Sequence, residues 1–183
     1  HGSGRQDHDE TSGGSRPFLD ITRGLAAQGN EVLRYEKHTH ARPQDFQGGT
    51  FTVNDETTDD AVDALTALAA DPRIDGRRVF VLGHSQGGML APRIASRWPQ
   101  ARGAILWAAP ARTLLDLLPE QNRYLLSLDG DISAPEQAFL DKLDAQIAAA
   151  RGSVPVAASE LPLGVPQSFW KSIEAVNARA DAK

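Results

Sequence analysis

Apolar positions follow two regimes along the chain. Up to about residue 107, short apolar runs alternate with segments of helical periodicity; beyond Pro110 only the helical periodicity remains. Phe18, Ile21, Leu25 and Ala26 recur at helical spacing, and Gly29-Asn30 ends that helix. Glu31 to Tyr35 reads as a strand. Residues 36–54 are polar, with Pro43 and Gly48-Gly49, and read as a long excursion. A helix is predicted from about Thr57 to Ala70, with Ala61, Leu65 and Leu68 inward. The turn-rich Asp71 to Gly76 leads into a buried strand at Val79 to Leu82. A helix over about 86–97 and a second buried strand, Ala104 to Trp107, follow.

Strands alternating with helices predict a parallel α/β sheet flanked by helices. After Pro110 the pattern predicts helices over about 112–127, 134–150 and 167–179, with a link bearing Pro155, Pro162 and Pro166 before the last. The expected organisation is a sheet-bearing core over 1–109 and a helical region over 110–183 that serves as a cap or lid.

Gly83-His84-Ser85-Gln86-Gly87 joins a predicted strand to a predicted helix and fits G-x-S-x-G. In such an elbow the serine stands on a sharp, strained turn, with its hydroxyl clear of the sheet. Gly83 and Gly87 are expected where side chains would collide across the turn, and Gly88 where the helix lies close to neighbouring strands. Ser85 is the candidate nucleophile.

Composition narrows the partners. The 183 residues carry a net charge of −5 and a pI near 5.5, with 6% aromatics, which gives no footprint for nucleic acid or an anionic membrane. No apolar run approaches the roughly 20 residues of a membrane span. With no cysteine there is no disulfide, thiolate zinc site or cysteine nucleophile. The compartment is left open, with a cytoplasmic one favoured. Asp7-His8-Asp9-Glu10 and His38-Thr39-His40 lack a full ligand set and read as solvated loop, so neither a metal nor a cofactor is expected. The leucines of 114–128 read as helix packing, with an acyl-chain pocket as the alternative.

Three stretches carry a resemblance: HGSG at residues 1–4 with Asp7, Asp9, Glu10 and Thr11; Val32-Leu33-Arg34-Tyr35 with Lys37; and RVFVLGHSQGGMLAPRIA over 78–95. On these the chain resembles the α/β-hydrolase serine esterases of the EstD-like and dienelactone-hydrolase-like families. The resemblance implies a partial α/β-hydrolase fold and an acyl-enzyme on Ser85, with a small-molecule ester as substrate. It implies an oxyanion hole built from the backbone N–H groups of Gln86 and Ser3, with Gly2 allowing close approach. It also implies that His1 and His84 are structural rather than basic.

In that fold the acid and the histidine follow the serine, yet the last histidine here is His84. The resemblance therefore implies an esterase truncated at both ends, inactive as it stands, and missing the strand between 31–35 and 79–82. A peptidase, thioesterase or acyltransferase of the same fold, or a non-catalytic binding module, would share these motifs. Oligomeric state is open.

Overall fold

The computed structural model describes residues 1–182. They form two compact units: His1–Gly48 with Asn54–Ala109 and the chain from Asn177, and Gly49–Val53 with Pro110–Val176. The main break falls at Ala109/Pro110. In addition, 49–53 group with the helical segment and the chain from Asn177 groups with the sheet.

In the first unit, Pro17 opens α1 (Pro17–Ala26), where its missing N–H costs no hydrogen bond. A one-turn helix, α2 (His38–Ala41), follows an extended stretch, and a π-turn over Asn54–Thr58 leads into α3 (Asp59–Ala70). Then come β1 (Phe80–His84), α4 (Gln86–Arg97) and β2 (Gly103–Trp107). β1 and β2 pair in parallel, with Val81 opposite Ala104 and Gly83 opposite Leu106. The crossover through α4 is the βαβ unit that a parallel pair requires. Leu90, Ala91 and Ile94 of α4, Val79 and Val81 at the strand, and Leu65 of α3 form the core.

Two strand expectations need correction. Glu31 to Tyr35 forms no strand: among the described residues it has no ladder partner, and β1 bonds only to β2. A cavity of about 560 Å³ lies in this unit, lined by Phe18 and Ile21 of α1, by Val32 and Leu33, by Leu65 of α3 and by Val81 of β1. β propensity alone cannot hold a strand whose partner is not within hydrogen-bonding distance. The strand at 103–107 does form, but it is not buried: Ile105 and Leu106 are each 49% exposed and Trp107 38%. Paired with β1 alone among the described residues, it leaves these apolar side chains partly in solvent.

The second unit is helical, with no strand among its described residues. It comprises α5 (Leu114–Leu126), α6 (Ala134–Arg151) and α7 (Gln167–Glu174), and the short α8 (Ala178–Asp181) belongs to the first unit. The predicted helix over 167–179 is thus two pieces. Ser133 and Glu136 form a capping box at the start of α6. Leu115, Leu140, Leu143, Ile147, Phe169, Trp170 and Ile173 are buried in this unit. Leu125 and Leu128 stay mostly exposed, so the leucine run packs only in part. Ser168 and Ser172 of α7 tie in residues 49–53 through the Phe51 carbonyl at 2.7 Å and the Val53 N–H at 2.8 Å. Those two bonds account for the grouping of 49–53 with the helices.

Candidate active site

Ser85 stands between the last residue of β1 and the first of α4 with φ 51° and ψ −118°. A positive φ on a residue with a Cβ is costly, and here the surrounding turn imposes it. Its N–H donates to the Trp107 carbonyl at 2.9 Å, which fastens the turn to the end of β2. Its carbonyl accepts the Met89 N–H at 3.0 Å, the first bond of α4. The Ser85 hydroxyl does not cap the helix.

The glycines around it have specific reasons. A Cβ on Gly83 would stand 2.1 Å from the Gly87 carbonyl oxygen, and one on Gly88 would stand 2.8 Å from the Ala109 Cβ. Gly87 does not answer to Gly83 as the turn pattern suggested: its Cβ would meet the His1 backbone, with the carbonyl oxygen 2.6 Å away.

Residues 1–4 therefore lie against the elbow. A Cβ on Gly2 would be 3.6 Å from Ser85 Cβ and 2.6 Å from Glu10 Oε1. Among the described residues, Ser3 N–H donates to no protein acceptor. Gln86 N–H, the first of α4, has no intrahelical partner. The positive end of the α4 dipole faces the same turn. The structure thus brings Ser85, Gln86, Gly2, Gly83 and Gly87 together, with Ser3 next to Gly2 in the chain.

Four residues with no role assigned from sequence support this turn. Glu10 Oε1 accepts the Gly2 N–H at 2.6 Å and lies 2.9 Å from His84 Nδ1. Lys37 Nζ donates to the Gly2 carbonyl at 3.0 Å and pairs with Glu56 Oε1 at 2.8 Å. Glu56 Oε2 accepts from Gln86 Nε2 at 2.7 Å and from the Thr57 hydroxyl at 3.0 Å. Lys37 is 1% exposed and Glu56 4%. Lys37 sits in the polar excursion over 36–54 and Glu56 just beyond it, where the unusual π-turn around Glu56 marks the spot locally.

Electrostatics at the turn follow from burial. Burial pushes the Tyr35 phenol up, with the Asp60 carboxylate adding to it. The His1 ring packs on Phe18 and edge-on to Tyr35, at centroid distances of 5.3 and 5.2 Å.

The five histidines have other partners or none. His84 faces Glu10, His8 faces Glu36 at 2.5 Å, His38 lies between Asp45 and Asp60, and His40 faces Glu36. None is hydrogen-bonded to Ser85 Oγ among the described residues. Asp9 pairs with Arg34, and Asp7 accepts from Thr11. No group of three or more metal-ligating side chains occurs among the described residues.

Residues 1–180 match the profile of the Alpha/beta hydrolase family. The chain belongs to the α/β-hydrolase family. The parallel β1–α4–β2 unit with Ser85 at its turn is its part of that fold. This α/β-hydrolase is also 39% identical over 185 residues to a curated relative, Esterase EstD of Thermotoga maritima. The match covers all of this chain and 42% of that esterase. No solved structure matches. No helix among the described residues is long and apolar enough to cross a membrane.

Proposed function

We propose that this α/β-hydrolase cleaves carboxylic esters of small molecules through an acyl-enzyme on Ser85. In this reading Ser85 Oγ attacks the acyl carbonyl, its proton passes to a base, and the alcohol leaves. Water then releases the acid. The backbone N–H groups of Gln86 and Ser3 hold the oxyanion, and Gly2, Gly83 and Gly87 permit the close backbone approach. The likeness to Esterase EstD supports ester substrates over peptides or thioesters. The observation that carries the reading is the strained φ of 51° at Ser85, with its hydroxyl left out of the helix cap and the Gly2 backbone beside it.

With no histidine bonded to Ser85, the reading assigns the base and its acid partner to positions outside these residues. By themselves the 183 residues then lack turnover. That same observation favours a second reading, a hydrolase-fold binding module without catalysis.

Fluorophosphonate labelling and nitrophenyl-ester turnover separate the two. The 183-residue chain should show neither above a Ser85→Ala control. A longer polypeptide carrying these residues with a downstream acid and histidine should show both, and Ser85→Ala should abolish them. A longer polypeptide that stays inert with Ser85 intact would establish the binding module. Rapid labelling of Ser85 in the 183 residues alone would place the base among them.

A further inference from the structure

We infer that the buried Lys37–Glu56 ion pair is a positioning device that sets the direction of the Ser3 N–H and ties it to the Gln86 turn. The inference rests on the acyl-transfer reading of this site, since it gives those two N–H groups a common task.

The geometry runs through one peptide plane. The carbonyl of Gly2 and the N–H of Ser3 belong to the same peptide unit, which is trans, so they point in opposite directions. Lys37 Nζ holds that carbonyl at 3.0 Å. Whatever fixes the carbonyl therefore aims the Ser3 N–H the other way. The preceding peptide is held too, because the Gly2 N–H donates to Glu10. A glycine, with no Cβ to limit its rotation, is thus clamped on both sides.

The far end of the clamp reaches the elbow. Glu56 takes Lys37 on one carboxylate oxygen and the Gln86 side-chain amide on the other. Gln86 is completely buried. Loop and elbow, distant in sequence, are therefore joined by a continuous hydrogen-bonded path: Gly2 carbonyl, Lys37, Glu56, Gln86.

A buried ion pair is a poor way to gain stability, since desolvation offsets most of the Coulomb attraction. An apolar pair would fill the same space but could not orient a carbonyl. Preorganised donors are what an oxyanion site needs, because a donor that must turn during the reaction has lost its advantage. Lys37 and Glu56 touch neither Ser85 nor the reacting atoms. They act through Gly2 and Gln86.

Two variants test this. Lys37→Met keeps the length of the side chain and removes its charge and donors. Glu56→Gln keeps the size, leaves Lys37 in place and breaks the ion pair, so it covers the case in which Lys37→Met does not fold. In the 183-residue chain, NMR should show the Gly2 carbonyl carbon shifted and Gly2 amide exchange at least about tenfold faster in both variants, while the amides of Met89 to Ile94 keep their protection. In the longer, ester-cleaving polypeptide, kcat on an oxoester should fall by up to about 10²-fold with KM nearly unchanged. The matching thionoester, whose sulfur is a weak acceptor, should lose much less. A mere loss of folded enzyme would lower both substrates equally. Unchanged Gly2 signals, or an unchanged oxoester-to-thionoester ratio, would overturn the inference. Turnover that survives Ser85→Ala would instead overturn the acyl-transfer reading, and the Gly2 signals would still decide whether the clamp exists.

Discussion

Gly83 and Gly87 meet backbone to backbone: a Cβ on the first would stand 2.1 Å from the carbonyl oxygen of the second. No side-chain motion can relieve such a contact. Gly83→Ala should therefore cost about 3 kcal/mol, the upper part of the usual range for overpacking. Gly14, with open space around it, is the control, and Gly14→Ala should stay within about 0.5 kcal/mol. Urea denaturation of the three proteins checks both. Equal midpoints would mean that the turn relaxes freely.

Strain at Ser85 predicts a trade between stability and chemistry. Ser85→Gly removes the Cβ that makes φ 51° costly, a relief of about 1–3 kcal/mol. The greater freedom of glycine in the unfolded chain offsets about 0.5–1 kcal/mol of that. Ser85→Gly should thus be more stable than Ser85→Ala by about 1 kcal/mol, with both inactive. Thermal melts of the pair give the answer, and a less stable glycine variant would contradict the strain argument.

Tyr35 predicts an alkaline loss of stability. Burial, then the Asp60 carboxylate, raises its phenol above the ordinary value of 10.0. In the folded state the neutral form is favoured, so the contribution is fully present below pH 10 and is lost as pH rises through the folded value. Above about pH 10 the urea midpoint should fall, and Tyr35→Phe should flatten that fall. Identical slopes in the two proteins would remove Tyr35 as the cause.

The exposed apolar side chains of the small sheet predict self-association. Phe80 and Ile105 on one face and Leu106 on the other are each about half exposed, on a two-stranded sheet whose edges are unpaired among the described residues. Sedimentation should show concentration-dependent association, and Ile105→Lys should shift it toward monomer. A monomer at all concentrations would mean that these side chains tolerate solvent.

What the sequence determined by itself is local. The apolar run at 79–82, the glycines at 83 and 87 and the helical spacing after Ser85 specify a strand, a sharp turn and a helix within a few residues of one another. The start of α6 is equally legible, because Ser133 and Glu136 satisfy each other across one turn. HGSG announced a loop for the elbow by resemblance, and Gly2 does lie against Ser85.

Tertiary structure decided everything whose partner is distant. Glu31 to Tyr35 has a strand's composition, yet a strand exists only through hydrogen bonds to a neighbour, and none of the described residues supplies one. Ala104 to Trp107 reads as buried, yet burial requires a covering layer that no four-residue segment can declare. Residues 49–53 join the helical unit through two serines more than a hundred positions away. Lys37 and Glu56 look like ordinary solvated charges, because a charge is buried only where the folded chain brings it an opposite charge and acceptors. Here that partner is nineteen residues away by number and 2.8 Å away in space.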